Sequence, residues 1–449
     1  MIVETLPPKG RAGRRWRSGL ATAALGFALT GPAWAQAPAA PATPPATVKI
    51  GIVSFLTGPG AGPFGIPGRN AAELIVDAIN SGTMPPPYNT AGLGGAKIET
   101  KIIDESGSAA NQVTEFRNLV QRDGMEAVVG YVSSGNCLAV APVVEELKVL
   151  TVFYDCGTPR IFEESPKKYI FRVSPTATMD SVGAARYVTA KIKDLPSYSG
   201  VNQNYAWGQD SWRDFVLAMK ALSPAAKVEK DLFPKLFAGE YGAEISALLT
   251  TSSKFVHTSF WNGDLESFIF QSSARGLSQK MPLVATTAET AMFRIKDKMP
   301  DGTIVGARGP HGVFAPDTEL NRWFRKTYED RFSMPPTYPS YHMAQSLLGL
   351  KAAWDKAAAK AGKKPTTDEV VAAFEGIEFE APSAKIRMAI GKGHQGISDI
   401  AYGTYKYNKA EGRPEIIDIV RYNAECVNPP EGTTSQKWLE DGMPGAKCN

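Results

Sequence analysis

From position 48 the chain alternates short runs of β-branched and aliphatic residues with longer stretches whose apolar positions recur every three or four residues. VKIGIVSF (48–55), AKIETKIID (96–104), EAVVGYV (126–132) and VLTVFYD (149–155) read as strands, and the stretches 68–80, 111–122 and 137–147 between them as amphipathic helices. A second series starts near Tyr169, with helices at 180–192, after Gly208, at 242–251 and at 264–276, and strands at 226–233, 254–260 and 281–286. Repeated strand, helix, strand makes parallel sheets covered on both faces, so the predicted fold class is α/β, with two Rossmann-like lobes in succession. Two helices (317–331, 340–360) and three strands of antiparallel character (384–390, 400–407, 415–422) follow and must be shared between the lobes. Ligands of such sheets bind beyond the carboxyl ends of the strands, which points to the residues just after 55, 132, 154 and 260.

The start of the chain has a different pattern. Arg11, Arg14, Arg15 and Arg17 precede the apolar run GLATAALGFAL (19–29) and the small-x-small triplet Ala33-Trp34-Ala35, the order of a cleaved secretory signal spanning 1–35. The run is about half the roughly 20 residues that a membrane span needs. Trp16, Arg17 and Ser18 after the arginine pair argue against twin-arginine export. QAPAAPATPPAT (36–47) is an Ala/Pro leader with too few apolar side chains to pack. The expected location is the periplasm. The whole chain has 49 Lys plus Arg against 45 Asp plus Glu; residues 1–35 hold five of the former and one of the latter, which leaves 44 of each. A neutral mature chain gives no electrostatic reason to bind nucleic acid or an anionic membrane.

Cys137, Cys156, Cys426 and Cys448 fall as two pairs, 19 and 22 residues apart. In an oxidising compartment they read as two disulfides; of three possible pairings the sequential one closes the shortest loops. No Cys has a Cys or His partner at zinc spacing, and His257, His311, His342 and His394 are scattered, so no metal is predicted.

Gly60-Ala61-Gly62-Pro63-Phe64-Gly65 fits G-x-G-x-x-G after a strand. The acidic residue that should hold a ribose about 20 positions on is missing, since the next strand ends only at Asp104, and Pro59 and Pro63 remove backbone donors. The motif reads as a turn that lets a ligand approach the backbone. Ser133-Ser134-Gly135 opens a helix with two hydroxyls and free amides, a good receiver for a carboxylate, while Ser134 could equally cap the helix. The G-x-S-x-G elbow of a serine hydrolase is absent. Phe64, Tyr131, Phe153, Tyr154, Tyr205, Trp207, Phe260 and Trp261 crowd the predicted crevice, with Phe153 the clearest core residue. Asp264 is the acidic group at a strand end of the second lobe, either a helix-start charge or a receiver for a ligand ammonium.

VKIGIVSFLTGPGA (48–61), ELIVDAIN (73–80), IIDESGSAANQV (102–113), AVVGYVSSGNCLAVAPV (127–143), NYAWGQD (204–210), FRKTYEDRFSMPPTYPSYHMAQSLLGL (324–350) and GKGHQGISDIAYG (391–403), in that order and spacing, resemble the type I periplasmic solute-binding proteins of ABC transporters, the Leu/Ile/Val-binding family. The resemblance implies two lobes joined by three crossovers, 48–172 with 309–376 and 173–308 with 377–425, followed by a tail over 426–449. It implies a monomer that closes on a small-molecule solute and delivers it to ABC permease subunits, without cofactor, metal or chemistry on the solute; a sensor of the same fold is the alternative. Carried over by position, Phe64, Ser133 to Gly135 and Cys156-Gly157-Thr158 line the first lobe, and Trp207 and Asp264 the second, beside Tyr131, Tyr205 and Trp261 from the crevice reading. Tyr154-Asp155-Cys156-Gly157, where the family has small and hydroxyl residues, and the insert MPPPYN (84–89) are departures that point away from an ordinary leucine-sized ligand. The expected solute is a small amino acid or aromatic carboxylate.

Overall fold

The computed structural model describes residues 46–448, so the predicted signal and most of the leader lie outside the described residues. Five parallel strands open the first sheet: β1 (Thr47–Ser54), β2 (Lys97–Asp104), β3 (Ala127–Gly130), β4 (Leu150–Phe153) and β5 (Ile170–Arg172). Five more open the second: β6 (Ser197–Val201), β7 (Lys227–Leu232), β8 (Val256–Thr258), β9 (Leu283–Ala285) and β10 (Ile304–Gly306). Strands β3, β4 and β5 are buried throughout, as strands covered on both faces must be, which is why they show no alternation; Arg172 is the one charged residue among them. The remaining strands are β11 (Glu378–Glu380), β12 (Lys385–Ile390), β13 (Gln395–Ile397), β14 (Ile400–Asn408) and β15 (Arg413–Tyr422). The first sheet has the order β11-β12-β13-β5-β4-β3-β1-β2 and the second β15-β14-β10-β9-β8-β6-β7. These two mostly parallel sheets with flanking helices make the type I periplasmic binding protein fold.

One boundary differs from expectation. Residues 377–397 were expected in the second lobe, yet β11 to β13 complete the first sheet, with Gln395 of β13 in register with Arg172 of β5. A fully buried guanidinium explains the join. Arg172 donates to Gln395 Oε1 at 2.5 Å and to the carbonyls of Cys156 and Thr158 at 2.8 and 2.6 Å, so the first lobe satisfies a cation that burial would otherwise make costly. The chain therefore passes between lobes near 173–176, again after β10, where helices Glu319–Phe332 and Tyr338–Ala361 return to pack on helix Ile66–Ser81, and finally at 398–399.

Disulfide Cys137–Cys156 ties helix Ser134–Leu147 to the loop after β4, and Cys426–Cys448 ties the tail. The tail buries Trp438 in the second-lobe core, and its Ser435 amide donates to Glu163 at 2.8 Å. The proline-rich insert is anchored by buried Met84 and Tyr88, the latter donating to the carbonyl of Glu380 in β11. No helix among the described residues is long and apolar enough to cross a membrane.

Candidate functional site

A narrow cavity lies between the lobes. The first lobe lines it with Phe64, Val132, Ser134, Asp155, Gly157 and Tyr338, the second with Tyr205, Trp207, Trp261 and Thr287, and the second crossover with Arg308. The walls are aromatic and meet edge to face: Phe64 lies 5.1 Å from Trp261 across the cleft and 5.5 Å from Tyr338. Trp207 is oriented by its indole N–H, which donates to the Ser259 carbonyl at 2.8 Å. Gly157 makes room for that indole, since a Cβ there would stand 2.2 Å from the ring. The lobes also touch through the backbone, where the Gly263 amide donates to the Pro59 carbonyl at 3.3 Å.

Ser134 opens helix Ser134–Leu147, and its Oγ accepts the amides of Gly157 and Thr158, both at 3.2 Å. Its own O–H proton is used by neither bond. Just behind it the buried carboxyl of Glu105 accepts the amides of Val132 and Ser133 at 2.7 and 2.8 Å and the side-chain amide of Asn136 at 3.1 Å. Burial pushes Glu105 up to about 8 although those donors pull it down.

The charged part of the site centres on Arg308, whose φ of 44° marks a backbone held in the left-handed region. Its guanidinium sits 4.5 Å from the Trp207 ring. Nε donates to Asp180 at 3.1 Å, Nη2 to the Pro175 carbonyl at 2.7 Å, and Nη1 to both the carbonyl and Oδ1 of Asp155. His342 completes the cluster, with Nδ1 2.8 Å from Asp155 Oδ1 and Nε2 3.0 Å from the Arg308 carbonyl. Burial pushes Asp155 and Asp180 each up to about 7 against the lowering pull of Arg308. Burial would lower Arg308, but the two carboxylates outweigh it and keep it protonated. Burial also holds His342 and His311 well below their ordinary range, so both are neutral. Among the described residues no group of His, Cys, Asp and Glu is arranged to hold a metal ion.

The sequence profile of periplasmic binding proteins matches residues 47–411 of this chain. The chain belongs to the periplasmic binding protein family. It is 30% identical over 164 residues to a Leu/Ile/Val-binding protein of Rhizobium johnstonii, covering 36% of this chain and 41% of the relative. It is 30% identical over 149 residues to Leu/Ile/Val-binding protein homolog 3 of Brucella melitensis, covering 33% and 38%. The aligned stretch thus spans only about two fifths of these relatives. An ABC-transporter solute-binding protein from R. palustris, solved with benzoate, superposes with a TM-score of 0.70 at 19% identity, over 83% of this chain and 96% of that one. A leucine-, isoleucine-, valine-, threonine- and alanine-binding protein from Brucella ovis in its closed conformation gives 0.71 at 19% identity, over 86% and 97%. At such identities the likeness is one of fold.

In this periplasmic binding protein the cavity brings together six of the residues singled out by sequence: Phe64, Ser134, Gly157, Tyr205, Trp207 and Trp261. The others stand outside its lining. Tyr131 is buried against Phe153 in the first-lobe core, and the Ser133 amide is held by Glu105. Gly135 lies in the first turn of the helix, Cys156 is in a disulfide, and Thr158 donates to Asp210 at 2.6 Å. Asp264 requires the largest correction, because its carboxylate accepts Gln203 Nε2 at 2.7 Å and the Phe237 amide at 2.8 Å within its own lobe. It braces a loop and does not line the cavity. Sequence reasoning missed Thr287, Arg308 and Tyr338, used Val132 only to mark a strand end, and noted Asp155 only as a departure. A usable signal existed for Arg308, a lone cation directly after the apolar IVGA at a strand end.

Proposed function

We propose that this protein is the periplasmic solute-capturing component of an ABC importer, closing its lobes on a compact carboxylate, either amino acid or aromatic acid, and presenting it to the permease. One observation carries this reading: the cavity takes its aromatic walls from both lobes, so the complete site exists only when the lobes are together. Ser134 supplies the polar end, where an unused hydroxyl proton and the first amides of a helix suit a carboxylate. Leucine-type and benzoate ligands both occur in the names of its relatives and structural neighbours.

Native mass spectrometry of exported protein, followed by calorimetry with a leucine set and a benzoate and cinnamate set, tests the proposal. The expected result is a retained small carboxylate and micromolar or tighter binding within one set. Binding to neither set refutes it.

A further inference from the structure

We infer that Asp210 is a positioning residue for capture: it latches the second lobe onto the first and holds the cleft closed, whichever solute lies inside. This goes beyond the capture reading above and rests on its lobe closure. Asp210 stands on helix Ala206–Leu222 of the second lobe, three residues after the cavity-wall residue Trp207, and its side chain is 1% exposed. Its Oδ2 accepts the hydroxyl of Thr158 at 2.6 Å, and its Oδ1 accepts Nε and Nη2 of Arg160 at 3.1 and 3.0 Å, all donors of the first lobe. Its own lobe contributes Arg213 Nη1 at 3.1 Å, from a guanidinium shared with Asp214. A buried carboxylate that takes most of its donors from the opposite lobe is fully satisfied only while the lobes are together.

Asp214, four residues further along the same helix, shows the contrast. It is equally buried, but it accepts Thr178 Oγ1 at 2.6 Å and Arg213 at 2.7 Å, both within the second lobe. Asp214 therefore stabilises a lobe, whereas the bonds from Thr158 and Arg160 to Asp210 stabilise the contact between lobes. The latch is also tied to the cavity on both sides. In the first lobe the Thr158 amide donates to Ser134 Oγ at 3.2 Å and its carbonyl accepts Arg172 Nη1 at 2.6 Å, so the hydroxyl that meets Asp210 belongs to a residue fixed beside the polar end of the site. In the second lobe the helix that carries Asp210 also seats Trp207 against Gly157, the neighbour of Thr158. Thr158 stands where the family resemblance implies a ligand contact, and here its hydroxyl serves closure instead. Opening the cleft would leave Asp210 with Arg213 and water, while Arg160, whose side chain is 33% exposed, can be hydrated in either state.

Pulsed electron resonance distances between two spin labels, one at an exposed helical site of each lobe, read the ratio of closed to open protein, alone and with leucine or benzoate added. Asp210→Ala should lower that ratio about tenfold and Arg160→Ala about fivefold, by the same factor with either solute. The double variant should fall no further than Asp210→Ala alone, because the two substitutions remove one contact. Arg160→Ala alters a partly exposed side chain, so it decides the question even where Asp210→Ala does not fold. An unchanged ratio in Arg160→Ala, or losses that simply add, overturns the latch. A ratio that falls in the variants yet answers to no solute refutes solute capture and leaves the latch standing.

Discussion

The carboxylate of Asp264 accepts the backbone N–H of Phe237 at 2.8 Å, and Phe237 reaches across the cleft mouth toward Phe55 of the other lobe, ring to ring at 6.5 Å. Phe237 has a φ of 62°, is 40% exposed, and lies 5.9 Å from the cavity-wall residue Trp261. Asp264 therefore holds an aromatic cover over the site from behind.

Asp264→Asn keeps the shape but replaces one acceptor oxygen with a donor, so the loop carrying Phe237 should loosen. Solute release should quicken about tenfold, which is about 1.4 kcal/mol, and equally for amine-bearing and amine-free solutes. Stopped-flow tryptophan fluorescence measures it. A loss confined to amine-bearing solutes would return Asp264 to the role of ammonium receiver.

At Gly157 an added Cβ would meet the Trp207 ring at 2.2 Å and Arg308 Nη2 at 2.7 Å. Neither neighbour is a loose chain end, because Trp207 is bonded to Ser259 and Arg308 to four acceptors. Gly157→Ala should thus weaken binding about 30-fold, or roughly 2 kcal/mol, and also lower the melting temperature, since overpacking costs the folded state about 1–3 kcal/mol. Calorimetry beside a thermal melt separates the two effects.

His257 on β8 stacks on Phe215 at 4.1 Å, and neither ring nitrogen has a hydrogen-bond partner among the described residues. Burial pushes it down to about 3, against about 6.5 in the unfolded chain. The unfolded state then binds the extra proton between those values, so this contribution to stability is complete above about pH 6.5 and is lost as pH falls toward 3. His257→Phe should flatten that dependence. Between pH 7 and pH 4.5 the wild type should lose several degrees more in melting temperature than the variant, and parallel curves would contradict the assignment.

Cys426–Cys448 closes a loop of 22 residues, for which chain entropy gives about 3 kcal/mol of stabilisation. The double variant Cys426→Ser, Cys448→Ser should lower the urea unfolding free energy by about that amount. Solute affinity should stay within about twofold, because the tail contributes no residue to the cavity.

Strands β1 to β4 and β7 to β9 with their helices were legible in the sequence because βαβ alternation writes its own period into the chain. Strands β5, β6, β10, β11 and β13 were not, being three to five residues each and short of a clear apolar run. Which lobe receives 378–397 depends on the buried Arg172, whose need for Gln395 is a contact across 223 positions. The cavity's aromatic walls could be read from residues just past strand ends. Its charged cluster was harder to read: Arg308 stands alone after an apolar strand, but its partners Asp155 and Asp180 come from two other segments and acquire meaning only where they meet it. Asp264 misled for the mirror-image reason: it stands at a suggestive strand end, but the loop through Phe237 folds onto it.

The family match ends at residue 411, in the turn between β14 and β15. Yet β15 pairs antiparallel with β14 along nearly its whole length, from Ile400 with Tyr422 to Asn408 with Arg413. A chain cut at that point would leave β14 as a naked edge, its row of N–H and C=O groups open to pairing while its Tyr402 and Tyr405 side chains remain buried in the sheet. Such an edge is a template for strands from other molecules. With the segment beyond the family match in place, the outer edge of the sheet is β15 itself, whose Pro414 and charged Arg413, Glu415, Asp418 and Arg421 blunt the addition of a further strand.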